Sequence, residues 1–380
     1  KNFAKLMGDS IAFWKDLYAH PDYDDWWKAR NPMNFVTNIR PAVLVVGGLF
    51  DAEDCYGAWN LYKAIESKSK NTDNRLVMGP WQHGGWGGRG DGSYLGHVRF
   101  GSRTSEFYQR NIEIPFFNFY LKLKGTVHDI AEANIFFSGE NAWRRFDQWP
   151  PRNVANQEIN LVPGEDIALE VVHRKFGKYS EYISDPAHPV PYTEDVHLGR
   201  TAEYMIDDQR FASRRTDVLT YSTGVLQEDI TLAGPLVASL FVSLSTTDAD
   251  FVVKLIDVFP DTFRYAGPSP SGEVGRAYPM GGYQMLVRGE IMRGKFRNSF
   301  EKPEPFVPGK ITEVKYTLPD VAHTFKKGHK LMIQVQSSWF PLADRNPQKF
   351  VDIYKADDSD FQKATIRIYD NSSILLPVLK

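Results

Sequence analysis

The chain changes its hydrophobic period once, near Trp143. Before that point, helical spacing alternates with short continuous apolar runs; Ile11, Trp14, Leu17 and Tyr18 recur at helical intervals, broken at His20-Pro21, and a second turn spans Asp24 to Ala29 ahead of Pro32. Residues 41–46 form an unbroken apolar run suited to a strand covered on both faces. An amphipathic helix over 53–68 carries Tyr56, Trp59, Leu61, Tyr62 and Ile65, and a second apolar run follows at Leu76 to Met78. The order predicts a β-α-β crossover with parallel strands. Residues 106–123 predict a Phe-rich helix interrupted or restarted at Pro115.

After Trp143 the helical pattern stops. Two-residue alternation appears at 236–244, 254–259, 283–293, 330–336 and 365–369, with turn residues at short intervals. The predicted fold class is therefore α/β plus all-β. Residues 1–40 read as helical without forming a domain of their own, an α/β part follows (41–145), and a β-sandwich or jelly roll (146–380) comes after it, joined through Trp149-Pro150-Pro151.

Composition narrows the functions. A formal net charge of −2 across 380 residues provides no field for gathering nucleic acid, and no run approaches the length needed to span a bilayer as a helix. Cys55 is the sole cysteine, so the chain can form no internal disulfide and no multi-Cys zinc site. The nine histidines include no H-x-H or H-E-x-x-H pattern, and neither a metal nor another cofactor is expected. Asp248 and Asp250 read as a strand-flanking turn rather than a calcium site. The Gly-rich stretch 84–92, with Arg89-Gly90-Asp91 inside it, lacks the Lys-Ser/Thr of a phosphate loop and reads as a flap.

Each of the two apolar runs ends in a glycine turn that delivers one titratable side chain. Val43 to Asp51 presents an acid, and thirty-two residues later Arg75 to Gly85 presents His83. A serine hydroxyl needs an imidazole to take its proton, and the imidazole needs a carboxylate on its other nitrogen. Asp51 and His83 suit those two roles, in the order found after the serine of an α/β-hydrolase. Taken singly, Asp51 also reads as a helix N-cap and His83 as a structural histidine. Glu53 and Asp54 compete for the acid role but fall in the first helical turn, where carboxylates are favoured anyway. No G-x-S-x-G turn occurs in the chain.

Gly48-Leu49-Phe50-Asp51-Ala52-Glu53-Asp54 and Gly79-Pro80-Trp81-Gln82-His83-Gly84 resemble the acid and histidine motifs of the cocaine esterase/glutaryl-acylase hydrolase family. That family is related to X-prolyl dipeptidyl aminopeptidases and α-amino acid ester hydrolases. Residues 20–27, 217–219, 250–255, 337–341 and 345–347 are similar to further segments of it, so the resemblance covers most of the chain. It is nearest the glutaryl-acylase or α-amino acid ester hydrolase branch. The resemblance implies a serine hydrolase cleaving acyl ester or amide bonds through an acyl-enzyme, with Asp51 as triad acid and His83 as base. It also implies a chain that begins inside the helical cap, with 1–40 a cap-helix remnant, 41–145 the C-terminal part of an α/β-hydrolase domain and 146–380 a jelly-roll β-sandwich, its serine and oxyanion hole upstream and the fragment inactive alone.

Asp24, Asp25 and Trp81 are the weaker candidates for substrate binding, the two aspartates because the α-amino acid ester branch holds a substrate ammonium with carboxylates. The opening Lys1-Asn2-Phe3 lacks an initiator Met and a signal sequence, which places the native start elsewhere and leaves the compartment open, with an exported location favoured over a cytoplasmic one. The partners expected are a small-molecule ester or amide and an N-terminal segment of the same protein. If that segment is missing, the exposed sheet should drive a homo-oligomer. The competing function is a carbohydrate- or protein-binding jelly-roll module with a docking α/β remnant.

Overall fold

The structure is a computed structural model that describes residues 5, 8, 10–88, 90–164, 166–169, 177–266 and 278–380. Two short helices, α1 (Ala12–Ala19) and α2 (Asp25–Lys28), lead into β1 (Val43–Gly48), α3 (Cys55–Lys68) and β2 (Asn74–Gly79). β1 and β2 run parallel in the register Val43↔Asn74 to Gly48↔Gly79, so both strands stop at the same edge. A small hairpin, β3 (Tyr94–Leu95) and β4 (Val98–Arg99), precedes the Phe-rich helix.

That helix is continuous but not uniform. α4 (Thr104–Tyr108) passes through a π-helical turn (Gln109–Glu113) into α5 (Ile114–Lys122), which carries Pro115 in its first turn. The wider turn accommodates the N–H that proline lacks, which explains the predicted restart. Tyr108, Ile112 and Phe116 pack on Val77 and Trp81. The opposite side is apolar too: Ile114, Phe117 and Leu121 are exposed, so the stripe is only half used.

β5 (Ala133–Phe137) pairs parallel with β2, and β6 (Ala142–Phe146) pairs antiparallel with β5, giving the order β1-β2-β5-β6. Among the described residues β1 pairs with β2 alone, which leaves its other edge open.

The remaining strands form two further sheets. One contains β7 (Val154–Asn160), β8 (Tyr179–Ser184), β10 (Ile230–Leu244), β13 (Thr312–Phe325), β15 (Ala364–Tyr369) and β16 (Ser373–Leu379). The other has the order β12 (Gln284–Arg293), β11 (Asp250–Val258), β14 (Lys330–Gln336), β9 (Leu219–Ser222). Leu240, Val242, Ile366 and Ile374 of the first sheet meet Phe251, Val253, Leu255, Ile333 and Val335 of the second in one core. β10 carries a register shift between Gly234 and Leu236, opposite Leu318 to Val321 of β13. Pro235 and Pro319 lie in that irregularity, where neither is needed as a ladder donor.

The four-stranded β12-β11-β14-β9 sheet is a middle layer. Val252, Ile256, Leu286 and Met332 point away from the sandwich core into a cluster with Leu76, Met78, Trp59 and Ile135 of the α/β part. Alternation along β11 therefore separates two buried faces, and the polar residues among the outward set, Lys254, Arg288, Gln334 and Gln336, are buried as well.

Lys254 shows the cost of that arrangement. It is fully buried, its Nζ donates to Gln209 Oε1 at 2.9 Å, and burial pushes its ammonium down to about 7. Between that value and the unfolded lysine value of roughly 10.4 the unfolded chain holds the extra proton, so this group makes stability rise with pH over that window. Replacing Lys254 by Met should remove that rise: any advantage of the variant is expected to be largest at pH 7 and to shrink towards pH 10, as read by urea denaturation at several pH values.

A second buried polar set rivets the layers together. Ser138, just after β5, lies 2.8 Å from His323 Nδ1 through its Oγ, His323 Nε2 lies 3.1 Å from Asp257 Oδ2, and His329 Nδ1 lies 2.8 Å from Asp257 Oδ1. Burial alone would raise the Asp257 carboxyl, but contacts with the two imidazoles outweigh it and hold the group below the usual range. Gly139 beside it has φ +85, and a Cβ there would fall 2.0 Å from Thr324 O.

Candidate active site

Glycine allows the two strand ends to converge. A Cβ on Gly48 would lie 2.2 Å from the carbonyl oxygen of Trp81, and one on Gly79 would lie 2.4 Å from the Trp81 ring. The backbones continue as neighbours beyond the strands, with Leu49 N–H donating to Gly79 O at 2.8 Å and Phe50 N–H to Trp81 O at 3.1 Å. Asp51 and His83 therefore emerge side by side. The positive φ of Gly84 turns the chain away directly after the histidine.

The Asp51 carboxylate is fully buried, and it does two things. Oδ1 accepts the backbone N–H groups of Glu53 and Asp54 at 2.8 and 3.0 Å, fixing the turn into α3. The same group faces His83 Nδ1, at 3.1 Å from Oδ2 and 3.3 Å from Oδ1. One side chain thus holds both the turn before α3 and the imidazole, although the N-cap of α3 itself is Asp54 rather than Asp51. With Nδ1–H directed at the acid, Nε2 of the half-exposed imidazole is the nitrogen left to accept a proton.

Two more carboxylates rim this pair. Asp54, 65% exposed, brings Oδ2 to 3.5 Å from the same Nδ1, while Glu53 pairs with Arg200. Donor atoms of Asp51, Asp54 and His83 lie within 4.8 Å of one another, and these three form the one such cluster among the described residues. An adjoining pocket of about 510 Å³ is lined by Gln82, Gly85, His97, Asp195, Glu203 and Asp207. Burial, reinforced by Asp208 and Glu203, pushes the Asp207 carboxyl up to about 6.

The other candidates lie in other surroundings. Trp81 is buried, its indole N–H donating to Thr104 Oγ1 at 2.9 Å and its ring packed near Trp86, Tyr108 and Trp143. Asp24 caps α2 by accepting from Trp26 N–H and lies 2.5 Å from His20 Nδ1; Asp25 is exposed beside Lys28. Asp248 accepts from the N–H groups of Ala249 and Lys295, and Asp250 pairs with Arg293. Arg89 falls outside the described residues. Sequence pattern gave no sign of the Ser138, His323 and Asp257 group, because its members come from three distant strands or turns.

Comparison with known proteins agrees with the resemblance noted in the sequence. Residues 124–372 match the family described as X-Pro dipeptidyl-peptidase C-terminal non-catalytic domain, and residues 3–85 match X-Pro dipeptidyl-peptidase (S15 family). The chain is 28% identical over 392 residues to cocaine esterase of Rhodococcus sp. (strain MB1 Bresler), covering 99% of this chain and 63% of that protein. An aminopeptidase from the marine sediment archaeon Thaumarchaeota archaeon superposes with a TM-score of 0.90 at 38% identity, covering 99% of this chain and 62% of the other. An α-amino acid ester hydrolase superposes with a TM-score of 0.89 at 36% identity, with 99% and 62% covered. The chain thus spans somewhat under two thirds of the length of these relatives. Since the first family match takes in well over half of its residues, the chain belongs to the X-Pro dipeptidyl-peptidase C-terminal family, within the X-Pro-peptidase-like group that includes cocaine esterase and α-amino acid ester hydrolase.

Proposed function

We propose that this chain is the acid-and-base portion of a serine hydrolase that cleaves acyl ester or amide bonds through an acyl-enzyme. The observation that carries the reading is the buried Asp51 carboxylate 3.1 Å from Nδ1 of the half-exposed His83 ring. In this reading the serine lies on a segment outside residues 1–380, and this chain by itself is inactive. That segment would pair with the open edge of β1 and cover Ile114, Phe117 and Leu121, surface that costs free energy when left in water.

The substrate class follows from the rim. Two similar structures are those of an aminopeptidase and an α-amino acid ester hydrolase. Asp54, largely exposed and beside the imidazole, is suited to an ammonium group there. We further infer that the two packed sheets after residue 146 form a jelly roll that follows the α/β domain of residues 41–145.

A fluorophosphonate tests the reading, because it labels only an activated serine. In the full-length protein it is expected to modify one serine outside these residues, with labelling slowed at least about 100-fold in His83→Ala. Labelling unchanged by that substitution would overturn the assignment.

A further inference from the structure

We propose that Arg288, on β12 in the segment matched as a non-catalytic domain, is a positioning residue for the catalytic acid. The inference rests on the reading of Asp51 and His83 given above. Arg288 is 1% exposed and reaches out of the four-stranded sheet into the α/β part, where Nη1 donates to Leu49 O at 2.9 Å and lies 3.1 Å from Cys55 Sγ. These two atoms bracket the acid turn: Leu49 is two residues before Asp51, and Cys55 is the first residue of α3.

Besides the half-exposed ion pair of Glu53 with Arg200, the turn has few other holds on that side. The N–H groups of Leu49 and Phe50 are spent on Gly79 O and Trp81 O, and Asp51 Oδ1 is spent on Glu53 and Asp54. The Leu49 carbonyl otherwise receives only the Cys55 thiol, at 3.8 Å, a weak contact. Cys55 stays a thiol, because burial raises it, with only partial relief from the Arg288 charge. Among the described residues no carboxylate forms an ion pair with Arg288, so its buried charge is spent on a carbonyl and a sulfur rather than on neutralising an acid.

An uncharged residue could have filled this space at lower desolvation cost. What the guanidinium supplies is one rigidly held nitrogen, Nη1, that reaches both ends of the seven-residue turn 49–55 from the sandwich. The acid must point at Nδ1 within a few tenths of an ångström to fix the tautomer; Arg200 reaches the same turn through a half-exposed ion pair with Glu53, and Arg288 is the buried side chain through which the sandwich contributes to turnover. The β-strand domain is thereby part of the catalytic framework while touching no reacting atom.

Kinetics of the full-length protein and hydrogen exchange together test the proposal. Arg288→Met is expected to lower kcat for an activated ester about 100-fold with KM changed less than about threefold, since a displaced acid impairs proton transfer rather than binding. Amides of residues 49–55 are expected to exchange at least about tenfold faster, with those of β2 unchanged. Arg288→Lys, which keeps a charged donor for Leu49 O but on a shorter side chain, should recover part of kcat. Lys254→Met, a substitution in the same buried layer that does not reach the turn, should leave kcat within about twofold and so separates positioning from general loosening.

Exchange at 49–55 unchanged in Arg288→Met, or kcat lowered equally by Lys254→Met, would overturn the proposal. If Arg288→Met does not fold, Arg288→Lys decides by the same two readouts: a local rise in exchange with reduced kcat supports it, and wild-type values of both overturn it. His83→Ala keeps the two readings apart. Full activity in that variant refutes the triad itself, whereas its loss alongside normal turnover in Arg288→Met refutes only the role of Arg288.

Discussion

Asp51→Asn in the full-length protein is expected to lower kcat roughly 10⁴-fold while leaving the fold intact. The asparagine can keep the two backbone bonds, because its carbonyl oxygen still accepts from Glu53 and Asp54. Its amide nitrogen would then face His83 Nδ1 and donate to it, which moves the ring proton onto Nε2. An imidazole in that tautomer cannot take a proton from a serine. The measurement is kcat at saturating activated ester, with circular dichroism and Tm showing that the protein remains folded. A loss of less than about tenfold would move the acid role to Asp54, whose carboxylate lies 3.5 Å from the same nitrogen, and Asp54→Asn would then show the large effect instead.

Asp320→Ala is expected to destabilise the protein by about 3 kcal/mol, since it leaves the buried Trp149 N–H without its acceptor and breaks a part-buried ion pair with Lys63. Asp320 is buried on β13, where Oδ2 accepts from Trp149 Nε1 at 2.8 Å and Oδ1 binds Lys63 of α3. One carboxylate therefore ties the sandwich both to the crossover helix and to the segment that leaves the α/β sheet. Trp149 also stacks on Trp59 at 4.9 Å between centroids, so loss of its hydrogen bond unsettles the packing above α3. Urea denaturation measures the effect: a lower midpoint is expected, and a second transition would report separate melting of the two parts. A midpoint shift corresponding to less than about 1 kcal/mol would show that solvent or a neighbouring group replaces the carboxylate.

The α/β half was legible because its strands are buried on both faces and its crossover helix has a clear apolar stripe. The predicted strand at 41–46 and helix at 53–68 appear as Val43–Gly48 and Cys55–Lys68. The pairing of Asp51 with His83 was legible for the same reason: parallel strands of equal length end together. The β-rich half was less legible. β13 carries Pro319 and Asp320, which argue against a strand in isolation, yet the register shift opposite Gly234 to Leu236 absorbs them.

Alternation along 254–259 also invites the expectation of a wet face at Lys254, whereas that face is sealed beneath the α/β layer. Arg288 was invisible for a similar reason. Nothing in Gln284 to Arg293 distinguishes an arginine facing water from one reaching another domain. Local patterning records whether a strand has two kinds of neighbour, but not what the second neighbour is.

The hydroxyl, imidazole and carboxylate of Ser138, His323 and Asp257 stand in line much as those of a working protease do, yet all three are sealed in the seam between the layers. No acyl group can reach that alcohol while the seam is closed. Identical functional groups thus serve as a fastener in one place and, with the serine proposed to complete Asp51 and His83, as an engine in another. Access from solvent separates the two roles, and chemical composition alone would not tell them apart.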